Sequence, residues 1–173
     1  MIELELFHTQ EYRLPLLTFP VLATGIEQWL GDGFYFWEDY EVAKWWGDTK
    51  KGGRKNTSRQ FSVFKVKVAF EVDSYIDTVF NEEDYRNFVL IIEDFAKRYS
   101  KQFKKKPTLA EFNDFIQDFG IWEAIKVIRF QDVPENSILV EVTGFYYKKR
   151  IQVRVNDPEI IVNFAHVKDF ACV

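Results

Sequence analysis

The chain has 173 residues, of which 47% are hydrophobic and 18% aromatic, with a net charge of −4 and one cysteine. That length suits a single domain, 1–173, with a full core, and the mildly acidic balance argues against a dedicated nucleic-acid binder. Cys172 alone builds neither an internal disulfide nor a cysteine-based zinc cluster, a pattern that fits a reducing compartment.

The opening Met1-Ile2-Glu3-Leu4-Glu5-Leu6 carries acids where a secretion signal carries bases. No apolar run reaches the length of a membrane span. A cytoplasmic protein with no membrane partner is expected, and a toxin exported by a dedicated machine would read the same. Residues 2–8 alternate: Ile2, Leu4, Leu6 and His8 share one face, Glu3, Glu5 and Phe7 the other. That is a strand ending in a histidine. Residues 10–32 hold Pro15, Pro20, Gly25 and Gly31, so they read as loop with a short helix near 24–30. Phe34 to Trp37 is a short aromatic strand. Tyr40 to Trp46 reads as a short helix with acids before it, ended by Gly47. Asp48 to Gln60, with Lys50, Lys51, Arg54, Lys55 and Arg59, reads as a basic surface loop.

Phe61 to Glu71 alternates as a strand. Residues 82–103 carry Phe88, Ile91, Ile92, Phe95 and Tyr99 at helical spacing behind an Asn81 cap. Thr108-Leu109-Ala110-Glu111 is a capping box opening a second helix to about Asp118. Strand patterns follow at roughly 125–130, 138–143, 150–155 and 160–164. Strands with inserted helices and no regular βαβ alternation predict an α+β fold.

There are only two histidines, His8 and His166, and no HExxH, so no metal site is expected. A Ser-His-Asp arrangement stays open, without a G-x-S-x-G elbow to support it. Gly31-Asp32-Gly33 lacks a third glycine, and an aromatic strand follows where a phosphate-binding helix should start. Taken singly, His8 reads as a half-buried histidine, Tyr35 and Trp46 as core, and Gln152 as an outer-face residue beside Arg150 and Arg154.

Three segments remain: Leu6-Phe7-His8-Thr9, Gly31-Asp32-Gly33-Phe34-Tyr35-Phe36-Trp37 with its helix, and Arg150-Ile151-Gln152-Val153-Arg154-Val155-Asn156. In this order they resemble the ADP-ribosyltransferase superfamily, in the branch with H-Y-E motifs shared by diphtheria toxin and the poly-ADP-ribose polymerases. The resemblance implies a split β-sheet core with a helical insertion around 82–118. It implies NAD as substrate and no metal. His8 would hydrogen-bond a ribose hydroxyl, and the backbone of Thr9, where relatives have glycine, would address the nicotinamide amide. Gly33 opens the aromatic strand. Ala43 and Trp46 match the following helix, and Tyr35 and Trp46 would sandwich the nicotinamide ring. Gln152 stands where a glutamate normally supports the oxocarbenium-like state. It can hold a hydroxyl but brings no negative charge.

The implied activity is transfer of one ADP-ribose from NAD to an unknown protein or nucleic-acid acceptor, as by a toxin or effector, with an antitoxin or immunity protein as a further partner. The alternatives are a nucleotide-binding module of the same fold without turnover, and an RNA 2′-phosphotransferase. The last needs several arginines around the histidine, and only Arg13 is close to His8 in sequence.

Overall fold

The computed structural model describes residues 1–25, 28–51, 59–132 and 149–172. Its elements are β1 (Ile2–Glu11), β2 (Phe34–Trp37), α1 (Tyr40–Trp46), β3 (Gln60–Phe70), β4 (Tyr75–Asp77), α2 (Glu82–Phe103), α3 (Leu109–Asp118), β5 (Val127–Gln131), β6 (Ile151–Val155) and β7 (Ile161–Ala171). The strands form one sheet in the order β4-β5-β6-β2-β1-β3-β7. Neighbours are antiparallel except β4 and β5. That parallel pair needs a crossover, and α2 and α3 supply it. The fold is α+β, as predicted.

Alternation along the central strands sorts side chains onto two faces. Leu6, Phe36, Val66, Val68, Val153 and Val155, all fully buried, pack together on the first face. The second face is covered by helices. Trp37, Phe61 and Val63 pack there with Val42 and Ala43 of α1. Ile128 and Phe130 pack with Phe95 and Tyr99 of α2 and Phe115 and Ile116 of α3.

Local chemistry sets the helix ends. Asn81 accepts from the amides of Glu83 and Asp84, at 3.0 and 3.2 Å. Lys104 ends α2 in the left-handed region at φ +57°, its amide donating to the Ser100 carbonyl. Thr108 and Glu111 close a reciprocal capping box at the start of α3, so both expected caps are present.

α1 ends at Trp46 with Gly47 as its C-cap, as expected, but Gly47 keeps right-handed helical angles and the chain runs on through a π-helical turn, Gly47–Lys51. The glycine is needed for close approach: a Cβ there would lie 2.3 Å from the Phe61 ring. The rest of the expected basic loop, 52–58, lies outside the described residues, as does the strand expected at 138–143. No helix forms over the described part of 24–30. Gln28 donates to the Gly25 carbonyl and Gly31 to that of Gln28, which are turns. Strand β7 spans eleven residues, against the five expected. Among the described residues no helix is long and apolar enough to cross a membrane.

Candidate functional site

The three singled-out segments occupy β1, β2 and β6, which are adjacent at the centre of the sheet. One row crosses all three: Phe7 opposes Trp37, and Trp37 opposes Gln152. Gln152 in turn opposes Phe130 of β5. Strands β1 and β2 are in register at this single pair, whereas β1 and β3 keep ten pairs in register. The β1–β2 ladder therefore stops at Phe7. Beyond it His8 links the two strands through its side chain, with Nδ1 3.3 Å from the Tyr35 carbonyl oxygen. That oxygen only accepts, so the tautomer that makes this bond carries its proton on Nδ1.

The faces divide the candidate residues. His8 packs on the first face, its ring 5.8 Å from Phe36 and 6.1 Å from Phe164. Tyr35, Trp46 and Gln152 belong to the second face, under the helices, so His8 does not share a pocket wall with them. Tyr35 and Trp46 are not stacked as a pair. The Trp46 ring meets Trp37, at 5.4 Å between centroids. The Tyr35 ring meets Phe130 edge-on at 6.2 Å. Thr9 is buried, and its hydroxyl donates to the Ala43 carbonyl at 2.7 Å, tying β1 to α1. A glycine at that position would lose this tie.

The Tyr35 hydroxyl is committed to the turn before its own strand. It donates to the Gly31 carbonyl at 2.7 Å and accepts from the Leu30 amide at 3.2 Å. Gly31 has φ +75°, which favours glycine. Gly33 is required by a neighbour: a Cβ there would come within 2.9 Å of the Arg154 side chain. Arg154 closes this corner. Its Nε and Nη2 donate to the Asp32 carbonyl at 3.1 and 2.8 Å, and Nη2 also reaches Asn156 Oδ1 at 3.1 Å. Burial pushes the Tyr35 phenol above its usual range, and the Arg154 charge offsets part of that rise. Burial also holds the Arg154 guanidinium below its usual value, against the opposing pull of Tyr35 and Asp32.

No protein-family model matches this chain, and neither a curated protein nor a solved structure matches it. The site is read from its own geometry.

Sequence alternation put Gln152, Arg150 and Arg154 on an outer face. That face is instead roofed by helices, and both arginines are buried. Arg150 lies over the Trp45 ring at 4.5 Å and pairs with Asp132 at 3.2 Å. A second cluster escaped the sequence altogether. Arg129 pairs with Asp77 and with Glu38, each at 2.6 Å. It lies 5.6 Å from the Tyr75 ring and 5.3 Å from that of Phe80. Glu38 directly follows Trp37, so this ion pair fixes the end of β2 to β5.

Among the described residues, Ser62, His166 and Asp169 do not form a catalytic triad. The His166 Nε2 lies 2.8 Å from Asp169 Oδ1, and the Ser62 hydroxyl donates to the same oxygen at 2.6 Å. The carboxylate stands between serine and histidine, whereas a nucleophilic serine needs the imidazole beside its hydroxyl.

Proposed function

We propose that the chain is an ADP-ribosyltransferase-like domain that binds NAD at the β1–β2–β6 centre of the sheet and transfers one ADP-ribose to a macromolecular acceptor. The observation that carries this reading is the adjacency of the three motifs. They lie far apart in sequence, yet they occupy neighbouring strands with Phe7, Trp37 and Gln152 in one row, where the β1–β2 ladder stops.

In this reading the Gln152 amide holds a ribose hydroxyl and Trp46 offers its ring to the nicotinamide. His8 acts as a positioning residue through the Tyr35 carbonyl, and Tyr35 holds the Gly31–Gly33 turn. The bond from ribose C1′ to the nicotinamide nitrogen breaks, its electron pair leaves with nicotinamide, and an acceptor nucleophile takes C1′. The oxocarbenium-like state gains from oriented dipoles. An amide contributes less there than a carboxylate, so one transfer is expected rather than chain growth.

A nucleotide-binding module without turnover is the second reading. It is favoured by the amide at Gln152 and by His8 facing away from it. NAD labelled in its adenylate part, incubated with the protein and a cell lysate, separates the two. Label on protein or nucleic acid that disappears with Gln152→Ala supports transfer. Saturable NAD binding without label supports the module. Absence of NAD binding at millimolar ligand removes both.

A further inference from the structure

The net charge of −4 is unevenly spread, and α2 shows it most. Residues 82–94 carry five acids and one cation, Arg86. Residues 95–106 carry no acid and six cations: Lys97, Arg98, Lys101, Lys104, Lys105 and Lys106. A cation in the last turn complements the helix dipole, an effect confined to that turn. It accounts for Lys101 but not for Lys104, Lys105 and Lys106, which lie at and beyond the helix end. Lys97, Arg98 and Lys105 pair with Glu93, Asp94 and Glu111. No described carboxylate lies within ion-pair distance of Lys101, Lys104 or Lys106, and all three are exposed.

An aromatic ring stands among these lysines. Phe103, the last residue of α2, is 48% exposed. Its ring is braced by two buried ones, Tyr99 at 4.5 Å and Phe115 at 6.2 Å between centroids. The turn that follows is fixed as well. Lys104 reverses the chain in the left-handed region at φ +57°, and Lys105 bridges to Glu111 of α3. A braced ring with exposed ammonium groups on either side in sequence suits a flat, anionic ligand. Bases stack on rings, and backbone phosphates attract lysines. Other polyanions fit less well. An acidic helix needs an apolar groove for its own face, and an anionic bilayer takes up a broad apolar face. Between 101 and 109 the exposed large apolar side chains are Phe103 and Leu109, each more than half covered.

We propose that the turn between α2 and α3 binds single-stranded nucleic acid, with one base stacked on Phe103 and backbone phosphates on Lys101, Lys104 and Lys106. This surface is separate from the proposed NAD site and does not depend on NAD binding. The mildly acidic chain as a whole is no dedicated nucleic-acid binder; the cations are gathered at one place.

The test follows the fluorescence anisotropy of a labelled single-stranded RNA of mixed sequence, its DNA counterpart and the matching duplex, titrated with the full chain. Poly-glutamate and phosphatidylserine vesicles serve as competing polyanions. A single strand should bind saturably, with log K falling against log salt at a slope of about −2, as for three phosphates. Lys104→Gln combined with Lys106→Gln should keep the melting temperature and reduce that slope to about −0.7. Phe103→Leu, which keeps an apolar side chain against Tyr99, should weaken binding about tenfold and leave the slope unchanged. Phe103→Trp should bind at least as tightly as the wild type. The duplex should bind more weakly, because its bases are already stacked on one another. If Phe103→Leu does not fold, the lysine pair and the duplex comparison decide. No binding of either single strand at low salt overturns the proposal. So does binding indifferent to the two lysines, or a duplex, poly-glutamate or vesicles binding as tightly as the single strand, which marks a plain polyanion surface.

Discussion

Arg129 and Arg154 stand on neighbouring strands of the same sheet, and the chain treats them in opposite ways. Arg129 has two carboxylates at 2.6 Å and the Tyr75 and Phe80 ring centroids at 5.6 and 5.3 Å. Burial alone would lower its pKa, but Tyr75, Glu38 and Asp77 outweigh that and hold it above the usual value. Arg154 donates to the Asp32 carbonyl and the Asn156 amide oxygen, and burial outweighs the opposing pull of Tyr35 and the Asp32 charge. A cation with its charges matched belongs to the scaffold. A cation without an ion pair, bonded to the Asp32 carbonyl and Asn156, braces the glycine turn instead.

The largest expected break in this comparison is Arg129→Met. It strands two carboxylates and should cost about 3–5 kcal/mol in urea unfolding. Gly33→Ala strikes the other arginine, because its Cβ would press on Arg154 at 2.9 Å. Overpacking of this kind costs about 1–3 kcal/mol. Arg154→Met should cost less than Arg129→Met, between nothing and about 2 kcal/mol, because a well-packed apolar side chain often replaces a buried ion without penalty. Equal losses from the two arginines would erase the distinction.

The smallest effect is in acid. Burial pushes the Asp77 carboxyl up, but the amides of Phe80 and Val79 and the Arg129 guanidinium more than reverse this, leaving it below the usual range. Its contribution is therefore complete above the unfolded-state pKa and is lost as pH falls through the lower folded value. Asp77→Asn should flatten the stability profile in that acid window. Arg154→Met should leave it unchanged, because Arg154 holds no carboxylate.

Much of the scaffold was legible because its signals are local. The Asn81 cap, the Thr108–Glu111 box and the alternation in β1 and β3 are each written within a few residues. Strand β4 was missed because Tyr75–Asp77 is three residues long and finds its partner β5 across two helices. The length of β7 was missed because its residues are mostly half-buried or exposed, so apolar alternation fades along it. The three motif segments could be picked out in order, but their faces could not be assigned. Alternation says that His8 and Phe7 differ, and that Gln152 and Arg154 agree. It does not say which side the helices cover, and that choice separates His8 from Gln152. The Arg129 cluster gathers residues from β2, β4 and β5, and no local pattern joins them.

Calorimetric titration with NAD tests the central claim most directly, using the wild-type chain, Gln152→Ala and Glu123→Gln. The account predicts saturable binding to the wild type, binding weakened by Gln152→Ala, and binding unchanged by Glu123→Gln, whose carboxylate lies against Gly120. No heat of binding at millimolar NAD, or equal binding by the wild type and Gln152→Ala, would contradict it.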